Sequence, residues 1–209
     1  MYRPQNFAED RPEVLVSAMR EIGFAALVSR SAEGLAATHA PVVVRHDEAA
    51  GRVTLEAHIA RANPHWKAIA DGTEALAIFQ GPSSYVTPSW YPTKAETGKV
   101  VPTWVYIAVH AHGQLRTIHD AAWLHRHVGA LTDLHETGRA VPWQVEDAPE
   151  SFVSALVRGI VGLELTVERL EGAWKLNQHK AAGDREGTRA GLAAAGPAGE
   201  ALAHALADR

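Results

Sequence analysis

The sequence predicts a mainly β domain, an antiparallel barrel with helices packed outside it, and three observations carry that prediction. Apolar runs arrive in short, hairpin-spaced stretches, without the regular strand–helix alternation of a doubly wound parallel sheet. Several of these runs alternate apolar and polar residues with period two, the pattern of a half-buried strand. With 209 residues, 46% of them hydrophobic, the chain is long enough to bury a full core.

The first element is a helix over 10–21, with Asp10 as N-cap, Pro12 in the first turn and Gly23 as the stop. A short apolar run at 24–29, turn residues at 31–34 and a second extended run at 35–44, broken by Pro41, read as a hairpin. After a polar turn at 45–51, residues 53–58 place Val53, Leu55 and Ala57 on one face and Thr54, Glu56 and His58 on the other. Asn63 and Pro64 suit the N-cap and first position of a short helix reaching residue 70.

A buried strand follows at 75–79, and a longer one at 103–111. The latter sets Trp104, Tyr106, His110 and His112 opposite Val105, Ile107, Val109 and Ala111. Gly113 reads as a bulge before a strand at 114–118. Asp120 caps an amphipathic helix with Leu124, Val128, Leu131 and Leu134 along one stripe, closed by Gly138. A helix at 148–158 and an alternating strand at 161–170, ending near Gly172, complete the body. The division is a barrel domain with flanking helices over 1–180 and an Ala/Gly-rich helical tail over 181–209, split at Pro197.

Composition excludes several chemistries. Lys plus Arg number 20 against 24 Asp plus Glu, with no basic run, so a broad electrostatic footprint for nucleic acid is disfavoured. The absence of cysteine removes disulfides, thiolate metal sites and thiol catalysis together. No apolar leader or membrane-length run is seen, so the expectation is a cytoplasmic protein that does not engage a membrane.

The stretch GPSSYVTPSWYPTKAETGKVVPTWVY, residues 81–106, is the most informative. Tyr85, Trp90, Tyr91 and Trp104 lie on a segment rich in turn residues, and such rings bury against a partner subunit, a planar ligand or the protein's own core. In HIARANP, residues 58–64, Arg61 offers a guanidinium fork beside the helix start at Asn63, which suits either a phosphate monoester or an ordinary capped helix with a surface arginine. His110 and His112 share a strand face, but a third metal ligand is not visible nearby, so two half-buried histidines are expected and no metal is assigned. His125 and His127 diverge on their helix. Phosphate-binding glycine loops and a nucleophile elbow are both absent.

Taken together, MYRPQNF, ATHAPVVV (37–44), AHIARANPHW (57–66), ALAIFQGPSSYVTPSWYP (75–92), GKVVPTWVYIAVHAHG (98–113) and GIVGLELTVERLEGAWKLNQHK (159–180) resemble the PaiB family, the FMN-binding negative transcriptional regulators. The resemblance runs to about residue 192. It implies an FMN-binding split β-barrel of the pyridoxine 5′-phosphate oxidase kind, forming a homodimer with FMN at the subunit interface. It places Thr38 and His39 at the cofactor edge, His58, Arg61 and Asn63 around the phosphate-binding turn, and Trp174, Lys175 and Gln178 in a segment reaching toward the flavin. Two segments depart from the family pattern. Val105 stands where Asn usually follows V-P-T-W, and KLNQHK (175–180) stands where K-L-S-Q-N-[RK] is common.

The expected function is a PaiB-like FMN-binding regulator of transcription, with a direct or indirect link to promoter DNA. The alternative is a flavin-dependent oxidoreductase or flavin reductase using the same cofactor. On the phosphate-clamp reading, Arg61→Ala costs cofactor affinity with little loss of stability.

Overall fold

A computed structural model of the chain describes residues 1–31 and 34–208. The predicted turn at 32–33 and the last residue of the tail lie outside the described residues. The strands are β1 (Ala8–Glu9), β2 (Phe24–Ser31), β3 (Gly34–Pro41), β4 (Val43–Asp47), β5 (Arg52–Ala60), β6 (Thr73–Val86), β7 (Thr103–Ile118) and β8 (Ile160–Lys175). The helices are α1 (Pro12–Ile22), α2 (Thr93–Thr97), α3 (Ala121–Glu136), α4 (Glu150–Arg158), α5 (Ala182–Ala193) and α6 (Pro197–Ala207). One sheet has the order β3-β2-β6-β7-β8-β5-β4, with β1 paired to β8. The mainly antiparallel sheet with peripheral helices is the predicted split-barrel class.

Two compact units are distinguished, one of Met1–Leu15, Gln80–Val109 and Glu171–Arg209, the other of Val16–Phe79 and His110–Leu170. In the second unit, β2 and β3 form the predicted hairpin, with Phe24 opposite Pro41 and Ser31 opposite Gly34. β4 pairs with β5 from Val43↔Glu56 to Asp47↔Arg52, and β5 pairs with β8 from Thr54↔Thr166 to Ala60↔Ile160. Leu27, Leu55, Ala77, Phe79, Leu163 and Leu165 are buried there, each large side chain contributing about 1.5–3 kcal/mol by leaving water. The alternation predicted for β5 holds through Ile59.

A smaller cluster of Leu124, Val145, Val153 and Val157 lies under α3 and α4, with Trp123, Val128 and Ile160 against it. Asp120 caps α3 as predicted, its Oδ1 accepting from the Trp123 amide at 2.7 Å. The apolar stripe is shorter than predicted. Leu124 is buried but Leu134 is 47% exposed, and His127 takes the interior position one turn after Leu124.

In the first unit, Val86, Tyr91, Val105, Leu176, Leu192 and Leu202 are buried. The start of α1 differs from its prediction. Asp10 pairs with Arg3, while Glu9 Oε1 accepts from both the Arg11 amide (3.0 Å) and Arg11 Nε (2.9 Å). The tail forms the two predicted helices, α5 and α6, divided before Pro197.

Three strands are longer than their local signals. β6 continues through Gly81 and Pro82, and β8 through Gly172. β7 runs unbroken across Gly113, where a Cβ would strike the Thr166 carbonyl, so this glycine marks a close backbone approach rather than an interruption. Ladder pairing outweighs single-residue breaker signals. Among the described residues no helix is long and apolar enough to cross a membrane.

Candidate functional site

β3 carries Thr38, and the turn after β5 carries Asn63 and His65; these side chains meet in the second unit. The Asn63 side chain caps a short 3-10 helix, Pro64–Ala68, by accepting from the His65 amide at 3.0 Å, while its Nδ2 donates to Thr38 Oγ1 at 3.2 Å. Thr38 Oγ1 lies 2.8 Å from His65 Nδ1, and Ser29 Oγ lies 2.8 Å from His65 Nε2. Every polar atom of the His65 ring is therefore partnered, and burial lowers its pKa, so the ring is neutral at pH 7. Beside this network runs a groove of about 370 Å³ lined by Ala36, Ala37, Thr38, Asn63, Pro64 and His65 among others, a size within the range of small-ligand sites, about 300–1,000 Å³.

The other predicted site residues are placed as follows. His39, the neighbour of Thr38 on the strand, faces the opposite way, is exposed and stacks on Phe24 with ring centroids 6.1 Å apart. His58 does not line the Thr38–Asn63 groove. It points under α3, its Nδ1 3.0 Å from His127 Nε2. Burial, and then His127, lower its pKa to about 4. Arg61 is half-buried and braced, with Nε on the Arg158 carbonyl and Nη2 on the Ile160 carbonyl, both at 2.8 Å. Its own carbonyl accepts from Trp66 Nε1 at 2.8 Å. Arg61 thus uses two of its nitrogens to tie the turn after β5 to the junction of α4 and β8, leaving Nη1 without a hydrogen bond among the described residues.

In the first unit, Lys175 Nζ donates to Thr103 Oγ1 at 3.1 Å and stands 5.9 Å from the centre of the Tyr106 ring. Trp174 is buried. Gln178 braces its own turn: Oε1 accepts from the Leu176 amide, and Nε2 donates to the carbonyls of Trp174 (2.6 Å) and Asn6 (2.8 Å). Between them, Asn177 adopts φ 65, the one positive φ at a non-glycine position among the described residues. Its Nδ2 donates to Tyr91 Oη at 2.9 Å and to Thr188 Oγ1 at 3.4 Å.

The aromatic segment divides its rings. Tyr91 is buried, with Lys180 Nζ 4.6 Å above it. Trp90 packs on α5, where a Cβ at Gly187 would strike the Trp90 carbonyl and one at Gly191 would enter the Trp90 ring. Tyr85 and Trp104 form an edge-to-face pair with centroids 6.3 Å apart and remain 49% and 57% exposed. The departure at Val105 is a core position, 0% exposed, where an apolar side chain needs no partner.

Sequence reasoning passed over His65, Glu56 and His127. His65 immediately follows the Asn63-Pro64 cap, and His127 is three residues beyond Leu124 on the helix stripe, so both carried a positional signal of burial.

A family model described as "Putative FMN-binding domain" matches residues 1–169. An uncharacterised protein of Emericella nidulans is 36% identical over 182 residues, spanning 74% of this chain and 72% of that one. The protease synthase and sporulation protein PAI 2 of Bacillus subtilis is 28% identical over 180 residues, 86% of this chain and 83% of that one. Among solved structures, the FAD and heme binding protein from Mycobacterium smegmatis superposes with a TM-score of 0.60 at 15% identity, covering 91% of this chain and 80% of its own, which is a likeness of fold.

Proposed function

This chain belongs to the FMN-binding-domain family that matches it over residues 1–169, bearing out the PaiB resemblance, and from that premise we propose that it is a homodimeric FMN-binding protein acting as a negative regulator of transcription. The observation that carries the reading is the Thr38–Asn63–His65 network at the edge of a groove of ligand size.

The donor set fits a polar cofactor. Thr38 and Asn63 offer a hydroxyl and an amide suited to ribityl hydroxyls or a flavin ring edge, held in place by the neutral His65. The groove lining named above is uncharged, so the phosphate needs a cation from elsewhere. Arg61 suits that role as a fixed charge presenting one free nitrogen rather than a two-pronged fork. Trp174, Lys175 and Gln178 belong to the other compact unit and are not assigned to this groove. His39 and His58 take no part in this binding set. Bound FMN would supply a redox centre, while the protein's part is to orient it and exclude water.

Tyr85 and Trp104 support the dimer. Two large rings exposed side by side on one segment are the kind of aromatic anchor that a subunit contact covers. The link to promoter DNA is best read as indirect, given a formal charge of −4.

The test is the visible spectrum of the purified protein, followed by titration with FMN while following flavin fluorescence. A flavin spectrum, or saturable quenching near one FMN per subunit, is expected. A colourless protein that ignores FMN overturns the reading.

A further inference from the structure

Between α3 and α4, within the second unit, lies a half-open pocket of about 240 Å³ whose walls include Val128, Val153, Val157 and Ile160, with Trp143, Phe152 and Leu156 exposed at its rim. It is almost wholly apolar, and His58 forms part of its lining. Behind His58 stands a chain of polar groups with a definite polarity. Glu56 is ion-paired with Arg45, Nε to Oε2 at 3.1 Å, and is held ionised, its pKa lowered chiefly by the facing His127. His127 is 1% exposed, stacks on Trp123, and directs Nδ1 toward Glu56 Oε2 at 4.0 Å without a hydrogen-bond partner.

A nitrogen lone pair aimed at a carboxylate is repelled and an N–H is attracted, so the proton of His127 belongs on Nδ1. Its Nε2 is then an acceptor and takes the hydrogen bond from His58 Nδ1–H at 3.0 Å. That leaves His58 Nε2 as a lone pair with no hydrogen-bond partner among the described residues, on a residue that lines an apolar pocket.

We propose that this cavity binds a small aromatic molecule bearing an O–H donor, a phenol in chemical class, with the ring against the apolar walls and the hydroxyl donating to His58 Nε2. Size supports a single ring, since an engineered apolar cavity of about 150 Å³ accepts benzene and this one leaves room for substituents. The chemistry selects a donor: the relay from Glu56 through His127 leaves His58 Nε2 able to accept only. None of this rests on the flavin reading, and none of the wall residues named, Leu156 included, lines the Thr38–Asn63 groove.

The test uses the full-length protein, titrated calorimetrically with p-cresol and with its methyl ether, 4-methylanisole, which keeps the ring and lacks the donor. Saturable p-cresol binding at one per chain is expected, with the ether at least about tenfold weaker, equivalent to about 1.4 kcal/mol. His58→Phe removes the preference, and Val153→Trp, which fills the cavity, abolishes binding of both. Because either variant can fail to fold, ring-nitrogen NMR of the unaltered protein is the second readout: p-cresol shifts the His58 Nε2 resonance and 4-methylanisole does not. Equal binding of the two probes, no saturable p-cresol binding, or an unmoved His58 resonance overturns the proposal. So does conversion of a dimer to a monomer by Leu156→Glu in a protein that never bound p-cresol, which makes the cavity a subunit contact.

Discussion

His58 and His127, 69 residues apart in sequence, meet with Nδ1 of the first 3.0 Å from Nε2 of the second. A strand residue expected among those around the cofactor is joined to a helix residue read as half of a diverging pair.

The first consequence is a pH dependence. His58 titrates near 4 in the folded protein, against about 6.5 in the unfolded chain. As pH falls below about 6.5 the unfolded chain takes a proton that the folded protein refuses, so stability is full above that value and declines toward pH 4. The full shift is worth at most about 3 kcal/mol, and partial exposure reduces it to the order of 1–2 kcal/mol. Burial lowers the pKa of His65 and His179 in the same direction. Urea midpoints measured from pH 7.5 to 4.5 are expected to fall, with a shallower slope in His58→Phe.

Arg61→Ala is expected to destabilise the fold by about 1–3 kcal/mol, because it strips a charged donor from the carbonyls of Arg158 and Ile160. This departs from the sequence-based expectation of little stability loss. Arg61→Lys keeps the charge but cannot reach both carbonyls in the same geometry, so it recovers part of the FMN affinity and little of the stability. Denaturant unfolding alongside FMN titration separates the two effects.

Asn63→Ala removes both the cap on His65 and the bond to Thr38. A loss of about 1–2 kcal/mol is expected, with weakened FMN binding. Asn63→Asp retains the cap acceptor but gives up the donor to Thr38, and is expected to restore stability more than affinity.

Gly191→Ala forces a methyl group into the Trp90 ring. Overpacking of this kind costs about 1–3 kcal/mol, and the near-ultraviolet dichroism of the tryptophans is expected to change with the melting temperature.

Trp104→Ala is expected to weaken self-association by about tenfold or more, the usual scale for an aromatic anchor, while leaving monomer stability within about 0.5 kcal/mol, as for exposed positions generally. Sedimentation over a concentration series measures the first, and unfolding at low concentration the second.

Where period-two or helical alternation was strong, as in β5 and β7, residue faces could be read directly from sequence. Strand ends could not, because Gly81, Pro82, Gly113 and Gly172 each look like a stop locally while pairing with neighbouring strands carries the ladder through. That Asn63 would start a helical turn was legible because a cap motif fixed it; its contact with Thr38 is set by the fold. The surroundings of His39 and His58 were not legible, since what each ring meets is set by long-range partners: Phe24 across the hairpin for one, and α3 for the other. His65 escaped notice because its place after the Asn63-Pro64 cap signals burial but not its ring partners, Ser29 and Thr38, which only the fold brings to it.

The departure from the family pattern at residue 177 has a consequence of its own. Asparagine tolerates the left-handed backbone better than most residues, and this one divides its amide between Tyr91 and Thr188. Serine at 177, the residue the resemblance leads one to expect, has a shorter arm and a single hydroxyl proton, so it could donate to only one of those two oxygens. Positions 91, 177 and 188 therefore form a set whose members are free to change only in concert, and among relatives the residue at 177 should foretell those at the other two.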